Sequence, residues 1–164
     1  MRHRWRMDIV NVEQLEFRYD PEDPEGFRSG MKRLGSLVGA QRTGMSIYAL
    51  PPGQAICPYH YEYGEEEWLV VLEGEPTLRL PEGTRRLKPW DVCAFPVGPD
   101  GAHGVRNETA ADVRVLMFSE VRVPTATVYP DSDKVGIWTG NAEDDLMVHR
   151  GARVPYFDGE PGLS

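Results

Sequence analysis

Residues 51 to 76, PPGQAICPYHYEYGEEEWLVVLEGEP, set His60 among several glutamates immediately ahead of an apolar run. His60 and Glu62 are two positions apart, so on an extended strand they share a face, with Cα atoms about 7 Å apart. Glu67 heads the run Trp68 to Leu72. Strand alternation puts Glu67, Leu69 and Val71 on one face and Trp68, Val70 and Leu72 on the other. A carboxylate in line with Leu69 and Val71 lies at a rim or points inward. A buried carboxylate without a partner costs several kcal/mol or takes up a proton, and a divalent cation removes that problem. A second stretch, WDVCAFPVGPDGAHGVRN at residues 90 to 107, follows at the distance a returning strand requires and supplies His103 and Asn107. On its own, a histidine near glutamates is also what a solvated turn looks like.

These side chains can meet only if strands carry them. The chain has 17 glycines and 14 prolines and little helical periodicity, the pattern of many short strands divided by turns. Leu15, Phe17 and Tyr19 alternate with charged residues and read as a half-buried strand, and DPEDPEGFRSG at 20–30 reads as a loop. Further strands are expected within 44–53, at Trp68 to Leu72, at Thr77 to Leu80, at Val92 to Phe95, briefly around 105–107, and at Val113 to Phe118. Glu73-Gly74-Glu75-Pro76 joins two of them as a hairpin-type turn. Both faces of Trp68–Leu72 and Val113–Phe118 are apolar, which predicts cover on both sides. The expected class is all-β, an antiparallel jelly-roll barrel. One domain of residues 1–164 is expected, with a barrel core over about 10–120. A C-terminal extension over 121–164 would pack on the barrel or a partner subunit, anchored by Tyr129, Ile137, Trp138, Tyr156 and Phe157.

The 164 residues suit one domain with one core. Acidic residues outnumber basic ones 26 to 18, a net charge of −8, which disfavours nucleic acid and anionic membranes as partners. The basic cluster Arg2, Arg4 and Arg6 is short and isolated. No apolar run reaches the roughly 20 residues of a membrane helix. The two cysteines, Cys57 and Cys93, follow no metal or redox spacing and read as reduced thiols, so a cytoplasmic protein is expected. No Gly-x-Ser-x-Gly elbow, phosphate loop or dinucleotide fingerprint occurs.

Together the two segments resemble the paired motifs of the cupin superfamily. The first runs Gly53, six residues, His60-Tyr61-Glu62, four residues, Glu67, six residues, Gly74. The second runs Trp90, five residues, Pro96-Val97-Gly98, four residues, His103, three residues, Asn107. The resemblance covers 44–118, and the tail YPDSDKVGIW is similar to small single-domain bacterial cupins. It implies a cupin-type jelly roll holding a divalent metal (manganese, iron or zinc) through His60, Glu62, Glu67 and His103. It also implies a small-molecule ligand or substrate in the barrel. The two-sided apolar strands and the long tail need cover, which predicts a homodimer. Oxygenase or isomerase chemistry is the enzymatic expectation, and a non-catalytic sugar- or metabolite-binding module the alternative.

Two departures carry consequences. Trp90 stands where the family has glycine, so its turn either avoids positive φ or is strained. Glu62 replaces a histidine, so a dication held by all four groups is neutral rather than +1, a harder site that favours manganese or iron(II), with zinc possible. If Glu62 turns away, His60, Glu67 and His103 remain as a two-histidine, one-carboxylate set with open positions.

Overall fold

The computed structural model describes residues 8–162. Arg2, His3, Arg4 and Arg6 lie outside the described residues. Among the described residues the chain is all-β apart from one short helix and three 3₁₀ turns. The strands are β1 (Gly30–Arg33), β2 (Thr43–Leu50), β3 (Tyr61–Glu62), β4 (Glu67–Glu73), β5 (Thr77–Leu80) and β6 (Gly83–Arg86). They continue as β7 (Val92–Phe95), β8 (Gly104–Arg106), β9 (Val113–Glu120), β10 (Thr125–Tyr129), β11 (Lys134–Trp138) and β12 (Leu146–His149). All pairings between them are antiparallel.

Two layers result. One is the sheet β1-β2-β9-β4-β7. The other is assembled from β6-β5-β8 and β3-β10-β11-β12, joined by an antiparallel bridge between His60 and His103. That seam is the point on which the site depends, because it is where the two sequence motifs meet.

The core lies between the layers. Leu69 and Val71 of β4 are fully buried, as are Val113 and Val115 of β9 and Leu50 of β2, with Leu78 of β5 facing them. Each such side chain stabilises the fold by roughly 1.5–3 kcal/mol. Glu67 is thus the polar head of an inward-facing row whose remaining members are apolar. The hairpin turn between β4 and β5 needs Gly74, which has φ 76° and would bring a Cβ to 2.7 Å from the Asp112 carbonyl oxygen.

One expectation is corrected. Leu15, Phe17 and Tyr19 do not form a strand: residues 12–14 make a 3₁₀ turn, and a single bridge joins Arg18 to Met31. Phe17 and Tyr19 pack over Gly30, and Phe17 lies under the Arg114 guanidinium. The alternation reflects side-chain packing on an outer face without a backbone ladder. Within the single chain the outward face of β4 stays part-open, with Trp68 42% exposed, which leaves the expected cover by a second subunit as the remaining source. The chain after residue 120 supplies β10, β11 and β12, with Thr127 and Val128 paired to Glu62 and Tyr61. Of the anchors expected there, Tyr156 and Phe157 are exposed.

The loop that delivers His103 is tight. Pro99–Gly101 forms a 3₁₀ turn between Gly98, at φ 90°, and Ala102. A Cβ on Gly101 would overlap the Pro96 carbonyl oxygen. Gly101→Ala is therefore expected to push the turn outward and displace His103. Metal stoichiometry measured on the purified variant should fall well below that of the parent, whereas an unchanged stoichiometry would contradict this role.

Candidate metal centre

His60 and His103 form a hydrogen-bonded antiparallel pair: the His60 N–H donates to the His103 carbonyl at 3.0 Å, and the His103 N–H to the His60 carbonyl at 2.8 Å. Directly opposed residues of such a pair project to the same face. Their imidazole centroids are accordingly 4.6 Å apart. Both residues are buried. Phe95 holds the His103 ring from the other side, stacked at 3.7 Å with the planes 7° apart.

Each imidazole is oriented by its own chain. Nδ1 of His60 lies 2.9 Å from the Pro58 carbonyl oxygen, and Nδ1 of His103 lies 3.0 Å from that of Gly101. A carbonyl can only accept, so both Nδ1 atoms carry the proton. In the neutral ring this leaves each Nε2 with a bare lone pair, as a metal ligand requires. Both Nε2 atoms face one Glu67 oxygen, Oε2, at 3.8 Å from His60 and 3.3 Å from His103. Glu67 Oε2 and His103 Nε2 are buried without a hydrogen bond. One ligand atom from each of His60, Glu67 and His103 lies within 4.8 Å of the others. Three acceptor atoms aimed at one another could hold a metal ion or share a proton.

Without a metal, a proton has to take that place. Burial alone would lower the pKa of His60, but Cys57 and Glu67 outweigh it and push the value up to about 11. Burial alone would raise Glu67, but His103 and His60 hold its carboxyl down to about 2. Metal-free protein thus holds an imidazolium–carboxylate pair that a dication would displace.

Glu62 stands one step back. It lines the same cavity as the three converging residues but is not among the atoms that converge. Its Oε1 accepts from the Thr127 hydroxyl at 3.3 Å, which in turn accepts from the Trp138 indole N–H at 3.1 Å. Its Oε2 is buried with no partner. Burial, with added repulsion from Glu67 and Glu65, raises its pKa to about 7. The folded state therefore binds the Glu62 proton more tightly than the unfolded chain does. This costs stability as pH rises through the interval from 4.5 to about 7. In metal-free protein, Glu62→Gln is expected to raise stability by about 1–2 kcal/mol at pH 8, after allowance for solvent screening, and to leave it unchanged at pH 4. Urea unfolding at the two pH values checks this, and equal effects at both would contradict it.

The remaining walls are Tyr48, Ile56, Cys57, Gly104, Val105 and Met117, around a cavity of about 190 Å³. Tyr48 is pushed up to about 12, chiefly by burial, so its hydroxyl is a donor at any ordinary pH. Cys57 sits with Sγ 3.6 Å from His60 Nδ1. Sequence reasoning did not single out Tyr48, Met117 or Thr127, and named Trp138 only as an anchor of the C-terminal extension. The signal for Tyr48 was available in the alternation Ser46, Tyr48, Leu50. The contacts of Thr127 and Trp138 with Glu62 depend on the pairing of β10 with β3, which no local pattern announces. Tyr61 and Tyr63 point away from the cavity, as their phase relative to His60 and Glu62 predicts. Asn107 is a hydrogen-bonded strand-end residue, fully buried.

Comparison with known proteins follows the same lines. The Cupin domain family model matches residues 46–119, the span that carries both motifs and the converging side chains. No curated protein sequence matches the chain. A cupin-superfamily sugar phosphate isomerase from Silicibacter pomeroyi superposes with TM-score 0.78 at 22% identity, covering 92% of this chain and 98% of that one. The protein TT1209 from Thermus thermophilus is 32% identical with TM-score 0.55, over 71% of this chain and 99% of its own. The polyketide cyclase RemF from Streptomyces resistomycificus gives TM-score 0.58 at 23% identity, over 73% and 84% of the two chains. Identities of 22% and 23% speak to the fold alone. The jelly-roll layers, the two motifs brought together at the seam and the family match agree: residues 46–119 of this chain form a cupin domain.

Proposed function

We propose that the protein binds one divalent metal ion through His60 Nε2, Glu67 and His103 Nε2, and acts on a small oxygen-bearing molecule by proton transfer, as an isomerase does. The observation that carries this reading is the convergence of three buried acceptor atoms with both Nδ1 atoms tied to backbone carbonyls. Two nitrogens and one carboxylate leave a dication at +1 with open positions, a set suited to manganese or iron(II) and tolerated by zinc. Bound there, the ion supplies Lewis acidity that polarises a hydroxyl or carbonyl oxygen.

The chain's own groups supply the rest. Glu62 Oε2 is the one carboxylate oxygen in the cavity outside the converging set that has no partner, and it is the group that takes and returns a proton. Tyr48 donates a hydrogen bond to a substrate oxygen. Ile56, Val105 and Met117 exclude bulk water. Among the described residues neither lysine nor arginine lines the cavity, which fits a substrate whose inner end is uncharged, a hydroxy-carbonyl or polyol end, with any anionic group at the mouth. About 190 Å³ admits only a small molecule. The name of the Silicibacter relative, a sugar phosphate isomerase, belongs to the same reaction class. Cys57 and Cys93 are unpaired, which suits the reducing cytoplasm proposed as the compartment.

A second reading, a non-haem oxygenase, is favoured by the two-histidine, one-carboxylate set itself. Solvent-deuterium incorporation into a panel of small hydroxy-aldehydes and hydroxy-ketones, with manganese-loaded protein, tests the proposal. Isomerase chemistry predicts exchange that Glu62→Gln abolishes while metal content is unchanged. Oxygen consumption by iron-loaded protein without exchange supports the oxygenase. Stoichiometric metal with neither activity supports a binding module.

A further inference from the structure

The outward face of the five-stranded sheet is finished in apolar side chains. Strand register aligns Met45, Phe118, Trp68 and Ala94 in one row, and Ile47, Leu116, Val70 and Val92 in the next. At the β2 end Ile47 is fully buried, but at the β4–β7 end the face is open: Trp68 is 42% and Val92 56% exposed, and Trp90 beside them 75%. Trp90 also holds φ 75°, a left-handed conformation that is strained for a residue with a Cβ. A strained, exposed tryptophan contributes nothing to this chain alone.

The C-terminal segment has the matching excess. Tyr156 and Phe157 are 90% and 77% exposed and touch chiefly each other, edge to face at 4.8 Å. Residues 154–162 hold two carboxylates, Asp158 and Glu160, and no basic side chain. Residues 83–90, leading into the open face, hold Arg85, Arg86 and Lys88 and no acidic one. The whole chain carries −8, so two copies repel unless opposite charges are aligned locally.

We propose that the segment Val154–Glu160 of one copy docks on the Trp68–Trp90–Val92 face of a second copy, reciprocally. Tyr156 and Phe157 cover the apolar rows, and Asp158 and Glu160 meet Arg85, Arg86 and Lys88. The contacts those cations make within the chain are exposed and exchangeable: Arg85 to Glu82 at 3.7 Å, and Arg86 to the Glu75 carbonyl. Docking within one chain is opposed by topology. The tail leaves from β12, the opposite edge of its layer from β6, which carries Arg85 and Arg86. Six strand spacings of about 4.8 Å separate those edges, roughly 29 Å along the sheet. From His149 to Tyr156 the chain spans at most about 25 Å fully extended, short of the β6 edge that carries Arg85 and Arg86.

Analytical ultracentrifugation of the full chain tests this with two variants. The parent is expected to dimerise, and both Trp90→Gly and the double substitution Tyr156→Ala/Phe157→Ala to raise the dimer dissociation constant at least ~30-fold. Trp90→Gly removes the positive-φ strain, so its monomer should melt no lower than the parent, which separates lost docking from lost folding. Mixing the two variants should give a heterodimer tighter than either homodimer, because one partner keeps an intact tail and the other an intact face. A parent that stays monomeric, a dimer that both variants leave unchanged, or a mixture no tighter than its components would each overturn the proposal.

Discussion

Glu67→Gln is expected to abolish stoichiometric metal binding while leaving the protein folded. Glutamine keeps the shape and still presents an oxygen, so packing beneath it against Leu69 is undisturbed. What it loses is the negative charge that faces both Nε2 atoms at 3.3 and 3.8 Å. Loss of a group that merely orients a metal ligand lowers affinity about 10–100-fold, and loss of a charged ligand should exceed that. Metal content should fall from about one ion per chain to below about 0.1 after dialysis, and the stabilisation conferred by added manganese should vanish. In the metal-free state, His60 loses the carboxylate that holds its proton. Nuclear magnetic resonance titration should then find its pKa lower than in the parent, where Cys57 and Glu67 together raise it. Retained metal at parental stoichiometry would remove Glu67 from the site.

The second large effect is structural and concerns Asn107. It is completely buried. Its Nδ2 donates to the Leu50 carbonyl at 2.8 Å and the Ala111 carbonyl at 2.7 Å. Its Oδ1 accepts from the Thr109 N–H at 2.9 Å and the Thr109 hydroxyl at 2.7 Å. All four bonds an amide can make are used. Asn107→Leu preserves volume but strands the buried Leu50 carbonyl and the part-buried Thr109 N–H, while the exposed Ala111 carbonyl keeps the Thr109 hydroxyl. Each buried group left unpaired costs about 1–3 kcal/mol, for a total of roughly 3–5 kcal/mol. In a chain of this length 1 kcal/mol shifts Tm by about 2–4 °C, so a fall of roughly 10 °C is expected in calorimetry. A fall below about 2 °C would mean that water replaces the amide without penalty.

Most of the barrel was legible in the sequence. Pro51, Gly74, Pro76 and Pro96 stop or turn the chain where strands end, and the alternation from Glu67 to Val71 gave the correct inward face. His60, Glu67 and His103 could be nominated because the two segments that carry them resemble the paired cupin motifs, which imply a shared metal ion. Their meeting could not be derived from local pattern, since it depends on the His60–His103 bridge between distant segments. Leu15, Phe17 and Tyr19 misled for a related reason: alternation reports which side chains are buried and is silent on whether a backbone partner exists. Glu62 was placed in the right cavity by its phase with His60. Its hydrogen bond to Thr127 arises from the C-terminal strands pairing with β3, a contact that apolar periodicity does not encode.

The central claim is that a metal ion sits among His60, Glu67 and His103. Anomalous diffraction from crystals grown with manganese tests it most directly. The account predicts one strong peak in the barrel interior, about 2.0–2.3 Å from both Nε2 atoms and a Glu67 carboxylate oxygen. An interior without a peak, a peak bound elsewhere, or imidazoles turned to solvent would contradict it.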